Sequence, residues 1–139
     1  MTTYHTKNFY VNSSNSNLTT SGGFKFDTPT FFYKDTVKMV WNIQDENQDP
    51  VDLSGASFEL KIAGTYSTTP LLTVDNGSFT AINITQGKMY CIADFNQADI
   101  LTFLNLVKSK TAYASLWCSV GGSDYILANF TFNMRNIIF

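Results

Sequence analysis

Residues 35–62 read DTVKMVWNIQDENQDPVDLSGASFELKI, and the alternation inside this stretch decides the fold. Val37, Met39, Trp41 and Ile43 share one parity against Thr36, Lys38 and Asn42; beyond a polar turn ending at Pro50, Phe58, Leu60 and Ile62 alternate with Ser57, Glu59 and Lys61. Successive side chains of a strand point to opposite faces, so each run offers one face to a core and the other to water. Two such runs joined by a turn predict a β-hairpin, and with it an all-β module.

Toward the C-terminus the same punctuation continues. A loop at residues 63–70 leads to a short strand at 71–74, and Asp75-Asn76-Gly77 has the chemistry of a tight turn. Strands at 79–84 and 89–95 flank Thr85-Gln86-Gly87-Lys88. The one helical signal is NQADILTFLNLV at 96–107: Asn96 as N-cap, Asp99 near the positive helix end, and Ile100, Leu101 and Leu104 at helical spacing. A second hairpin, 113–120 and 125–134, turns at Gly121-Gly122. About seven or eight short strands and one small helix are the pattern of an antiparallel immunoglobulin-like β-sandwich; a closed barrel is the other architecture open to them. Its expected core is Val37, Met39, Trp41, Leu53, Phe58, Leu60, Leu116, Phe130 and Phe132.

Toward the N-terminus the composition changes. Residues 1–33 hold many aromatics but only three charges, Lys7, Lys25 and Asp27, and are split by the Asn/Ser-rich spacer NSSNSNLTTSGG at 12–23. The expected organisation is an N-terminal aromatic arm with a flexible linker, 1–33, ahead of a sandwich at 34–139. The alternative is an extra strand folded back on its own sandwich. At the other end Ile137, Ile138 and Phe139 form an apolar tail that needs cover, from its own sandwich or from a groove on a neighbour.

The 139 residues suit one domain. Charged residues make up 14% of the chain, well below the usual quarter, which leaves a surface poorly defended against association. A net charge of −2 with no Lys/Arg cluster supplies no footprint for a phosphate backbone, so nucleic acid is not an expected partner. No apolar run approaches a bilayer span and the start lacks signal-peptide features, so no membrane partner is expected and the chain is read as made in a cytoplasm. There, Cys91 and Cys118, inside apolar strands, are expected as buried free thiols.

Candidate chemistry is sparse. His5 is the single histidine, so neither a Ser/His/Asp set nor a His-containing zinc site can be assembled within the fold. Asp45, Asn47 and Asp49 repeat the start of a calcium loop, but Pro50 and Ala56 stand where that loop needs Gly and Glu, which predicts an Asx-stabilised turn. Gly121-Gly122 precedes a strand, not the helix that a phosphate loop requires. No enzyme activity, cofactor or metal is expected. Parity on the strand at 113–120 puts Trp117 and Tyr113 opposite the apolar face, as an outward pair for a sugar or a partner, or as residues buried at the edge beneath the arm. The expected partner-binding residues are Tyr4, Phe9, Tyr10, Phe24, Phe31 and Phe32 of the arm, Tyr113 and Trp117, and Ile137, Ile138 and Phe139.

Pro50-Val51-Asp52-Leu53-Ser54-Gly55-Ala56, followed by the alternating 57–62, resembles the N-terminal domain of the tailed-phage baseplate upper protein family, an immunoglobulin-like module of virion tails. Three further stretches agree with the family pattern: Asp35-Thr36-Val37 opening an alternating strand, Gly87-Lys88 entering the strand before the helix, and Ala128-Asn129-Phe130-Thr131-Phe132 in the closing strand. The resemblance covers roughly residues 34–135. It implies a virion structural subunit, localised to the virion after assembly in the host cytoplasm. Expected partners are other virion proteins in a homo-oligomer or symmetric assembly; the inferred role is adaptor, decoration or fibre attachment on tail, baseplate or capsid. A carbohydrate-binding module using Trp117 and Tyr113 is the alternative from a different functional class.

Overall fold

The computed structural model describes residues 5–22, 28–64 and 69–136. Expectations for Tyr4, Phe24, Ile137, Ile138 and Phe139 lie outside the described residues. The strands are β1 (His5–Asn12), β2 (Asn17–Thr19), β3 (Thr30–Phe32), β4 (Thr36–Gln44), β5 (Ser57–Gly64), β6 (Pro70–Val74), β7 (Phe79–Asn83), β8 (Lys88–Asp94), β9 (Ser109–Val120) and β10 (Ser123–Arg135), with helix α1 (Ala98–Leu104) between β8 and β9. Among the described residues they form two five-stranded sheets, β2-β1-β4-β8-β7 and β3-β10-β9-β5-β6. The fold is an all-β sandwich with one short helix, as the alternation predicts. It is not wholly antiparallel: β1 runs parallel to β4, and β3 parallel to β10.

The predicted central hairpin does not form. β4 lies between β1 and β8 in the first sheet, while β5 lies between β9 and β6 in the second. Alternation specifies which side chains are buried, and here both runs do bury the expected parity; it does not specify which strand lies alongside. Residues 45–56 carry the chain from one sheet to the other through fixed contacts. Asp45 Oδ1 accepts the N–H groups of Asn47 (2.8 Å) and Asp49 (3.0 Å), giving the expected Asx turn. The Val51 N–H then donates to Ile43 O (3.1 Å) and the Leu53 N–H to Ile84 O (3.0 Å). Asp52 Oδ1 accepts from both the N–H (2.9 Å) and the hydroxyl (2.6 Å) of Ser54. These bonds hold the Asp52 carboxyl below its ordinary range, the side-chain bond being the larger cause. Leu53 is buried in the core, so the Asp-Leu-Ser-Gly-Ala run works as a plug that anchors the crossing.

The described residues of the expected arm form β1, β2 and β3 of the chain's own sandwich, so the boundary at residue 33 falls inside the domain. Phe9 and Val11 are 0% exposed. The Phe9 ring stacks on Trp41 with centroids 4.7 Å apart. Phe31, at 4% exposure, stacks on Phe95 (5.2 Å) and meets the edge of Phe132 (5.1 Å). Phe9 and Phe31 therefore belong to the core and are not available to a partner. The spacer makes a turn at residues 13–16 and then β2, which pairs back on β1; short polar side chains take up backbone donors in the turn, Asn12 Oδ1 accepting from the Ser14 N–H and Asn15 Oδ1 from the Asn17 N–H, each at 3.0 Å. Ser16 ties this turn to the second sheet, donating its hydroxyl to Ile126 O and accepting the Asn129 N–H, both at 2.8 Å.

The aromatics of both sheets meet between them and form the centre of the core. Of the predicted core, Val37, Met39, Trp41, Leu53, Phe58, Leu60, Leu116 and Phe132 are buried, and Phe130 packs partly buried against them. Gly87 explains its own place before β8. Its φ is +68°, and a Cβ there would lie 2.6 Å from Ile43 O and 2.7 Å from Val51 O. The N-cap of helix α1 is Gln97, one residue later than the expected Asn96, and the helix buries Ile100 and Leu104 while Leu101 faces outward. It closes with Asn105 (φ 47°) and Leu106 (φ 65°) in succession.

Candidate functional site: the outward face of the second sheet

The closing hairpin turns on Gly121 (φ 58°) and Gly122 (φ 84°), the two positive-φ positions of a tight two-residue connection. That turn fixes the β9–β10 register, and a bulge between Ile126 and Ala128 lets the two strands keep pairing beyond it. Ala112, Ala114, Leu116 and Cys118 point into the core. Thr111, Tyr113, Ser115, Trp117 and Ser119 consequently line the outer face. Pairing on both sides of β9 builds rows across this face: Ser57, Ser119 and Asp124; Glu59, Trp117 and Ile126; Lys61, Ser115 and Asn129; Ala63, Tyr113 and Thr131.

A cavity of about 330 Å³ opens at the first two rows, lined among others by Ser57, Glu59, Asn76, Trp117, Ser119 and Asp124. The Lys61 ammonium pairs with the Glu59 carboxylate at 3.2 Å and lies 5.8 Å from the centroid of the Trp117 ring. Asn76 accepts the Phe58 N–H on its Oδ1 (2.9 Å), which fixes the amide at the rim. Cys118 also lines the cavity, and its thiol shares a hydrogen bond with the Tyr125 hydroxyl at 3.4 Å. Burial pushes the Cys118 thiol up from its ordinary value. Ionising the phenol would cost the hydrogen bond it shares with Cys118, and this, with burial adding to it, pushes Tyr125 up to about 12.

The chain shares its fold with a phage protein domain. It is similar to the N-terminal domain of phage TP901-1 ORF48, with a TM-score of 0.52 over 95% of this chain and 98% of that chain, at 14% sequence identity. Neither a family model nor a curated protein matches it. At that identity the likeness concerns the backbone, so the site is argued from the side chains of this chain alone.

Of the predicted partner-binding residues, Tyr113 (41% exposed) and the partly exposed Trp117 share the outer face of the second sheet, Trp117 in the cavity and Tyr113 two rows beyond it. Phe32, 36% exposed, shares that face at its far edge, paired with Arg135, whose guanidinium lies 5.7 Å from the Phe32 ring centroid. Tyr10 points outward from the first sheet, on the opposite side of the sandwich. Glu59, Lys61, Ser119 and Asp124 escaped the sequence reading. Their outward parity was readable, but the adjacency of β5 and β9 was not. His5, the single histidine, stands 3.6 Å from Asp35 on β1, and the described residues contain no cluster of His, Cys, Asp or Glu able to hold a metal ion.

Proposed function

We propose that the chain is a structural subunit of a tailed-phage virion, a small adaptor, decoration or fibre-attachment piece of tail, baseplate or capsid that works through protein–protein contacts and performs no catalysis. The observation that carries this reading is the end-to-end fold likeness to a phage protein domain, which spans 95% of this chain and 98% of the other. The sequence motifs that resemble the baseplate upper protein family point the same way independently. Supporting it physically, the surface has few charges and keeps Ile82, Ile92, Leu106 and Val120 exposed on separate parts of the sandwich. Apolar residues spread over several faces suit a subunit held by several neighbours in a symmetric assembly.

The test is quantitative mass spectrometry of density-banded particles from a host carrying the phage genome that encodes the chain. The expected result is the chain at a fixed copy number relative to the major capsid protein, retained through a second gradient. Recovery of the chain only in the particle-free fraction would refute a virion role.

A further inference from the structure

We propose that the Trp117 cavity on the outer face of the second sheet is a carbohydrate subsite, taking a short oligosaccharide of neutral or amino sugars. Such a subsite requires no virion role. The cavity of about 330 Å³ lies at the lower end of the size range of ligand sites. Its chemistry is mixed in a particular way. The indole of Trp117 supplies an apolar platform, the hydroxyls of Ser57 and Ser119 donate and accept, and the Glu59 and Asp124 carboxylates only accept. A pyranose ring presents the complement: a face of C–H groups bordered by hydroxyl donors. Stacking on the indole buries the C–H face, and charge-assisted bonds from the hydroxyls to the carboxylates fix the ring's orientation.

Charge selects among sugars. Lys61 is held by Glu59 at 3.2 Å, which leaves Asp124 as the net charge of the cavity and disfavours sialic or uronic acids. A phosphate-bearing ligand is disfavoured for the same reason. A peptide strand would add to a sheet edge, where backbone donors and acceptors are unpaired, but this cavity lies on a face; here β9 is paired on both sides, the Phe58 N–H of β5 is taken by Asn76 Oδ1, and β10 is tied by Ser16 at Ile126 and Asn129. Tyr113 extends the platform on the same face. It lies four residue steps along β9 from Trp117, about 13 Å at roughly 3.3 Å per residue. A single ring cannot bridge that distance, so the occupant that uses both aromatics is an oligosaccharide.

The experiment titrates the full chain with neutral tri- to hexasaccharides of glucose, galactose and N-acetylglucosamine, and with glucosamine oligomers, by calorimetry and by the NMR shift of the Trp117 indole N–H. The proposal expects saturable binding by at least one series and at least tenfold weaker binding by Trp117→Ala. Asp124→Asn, an exposed and conservative change, keeps the test open if Trp117→Ala fails to fold, and it too should weaken binding severalfold at unchanged melting temperature. Absence of binding across all series would overturn the proposal. So would binding that both variants retain in full. A dimer in sedimentation that Trp117→Ala abolishes, with no response to sugar, would assign the face to a second copy of the chain instead.

Discussion

Replacing Phe9 by Ala tests whether the N-terminal segment belongs to the fold or reaches away from it. The ring is 0% exposed, stacks on Trp41 at 4.7 Å and meets Phe130 at 5.7 Å. Truncating a fully buried phenylalanine costs about 3–5 kcal/mol, the upper part of that range applying where an aromatic stack is lost with the burial. A domain of this length carries roughly 7–20 kcal/mol of total stability, so the variant should fold but melt about 10–20 °C lower. Urea denaturation followed by tryptophan fluorescence measures the change. Tyr10→Ala is the control, because the neighbouring side chain points to water and its loss should cost less than about 1 kcal/mol. A Phe9→Ala loss below about 1 kcal/mol, or a larger loss for Tyr10→Ala, would refute the assignment of β1 to the core.

Gly87→Ala should cost about 1–3 kcal/mol from the left-handed backbone alone, with the close approach to Ile43 O and Val51 O adding to it; a chemical denaturation midpoint within error of wild type would show that the β8 entry relaxes freely. Leu106→Gly should stabilise by about 0.5–1 kcal/mol, since a residue 77% exposed at φ 65° loses strain and little packing, and a lowered melting temperature would contradict this. Burial pushes the Cys91 thiol up to about 11, partly offset by the nearby indole of Trp41, whose buried Nε1 makes no hydrogen bond among the described residues. The folded state therefore holds this proton more tightly than the unfolded chain does. Its contribution is complete below pH 9 and lost as the pH rises to about 11, roughly 2–3 kcal/mol in all. Cys91→Ala should remove that part of the alkaline decline, and identical pH–stability curves for the two proteins would refute the cause.

What was legible in the sequence was the inner and outer side of each strand. Trp41, Leu60 and Leu116 were assigned to the core because a period of two is imposed by backbone geometry and needs no knowledge of neighbours. Strand adjacency is a different quantity. β4 and β5 are consecutive and compatible as a hairpin, yet the plug at Leu53 and the bonds to Ile43 and Ile84 hand the chain across the core, and no local pattern records such bonds. The N-terminal segment was misjudged for a related reason. Asn and Ser favour flexible linkers and tight turns alike, and only the acceptors placed by Asn12 and Asn15 distinguish the two. The candidate site divides along the same line. Asp124 opposite Ser119 follows from a two-glycine turn, whereas Glu59 beside Trp117 depends on the β5–β9 pairing that the hairpin expectation excluded.

The pairing of β3 with β10 governs when the molecule can be finished. Residues 30–32 find their partners at 133–135, so the second sheet stays incomplete until residue 135, about a hundred residues later, has left the ribosome. Closing so long a loop yields few contacts for the entropy lost, and topologies dominated by distant pairings fold slowly. During that wait the first sheet can already assemble, because β1, β2, β4, β7 and β8 all precede residue 95. Half the core would then face water with its aromatics uncovered, a state open to capture by other chains. Rapid synthesis at high copy number would raise that hazard, and the sparse surface charge offers little to oppose it.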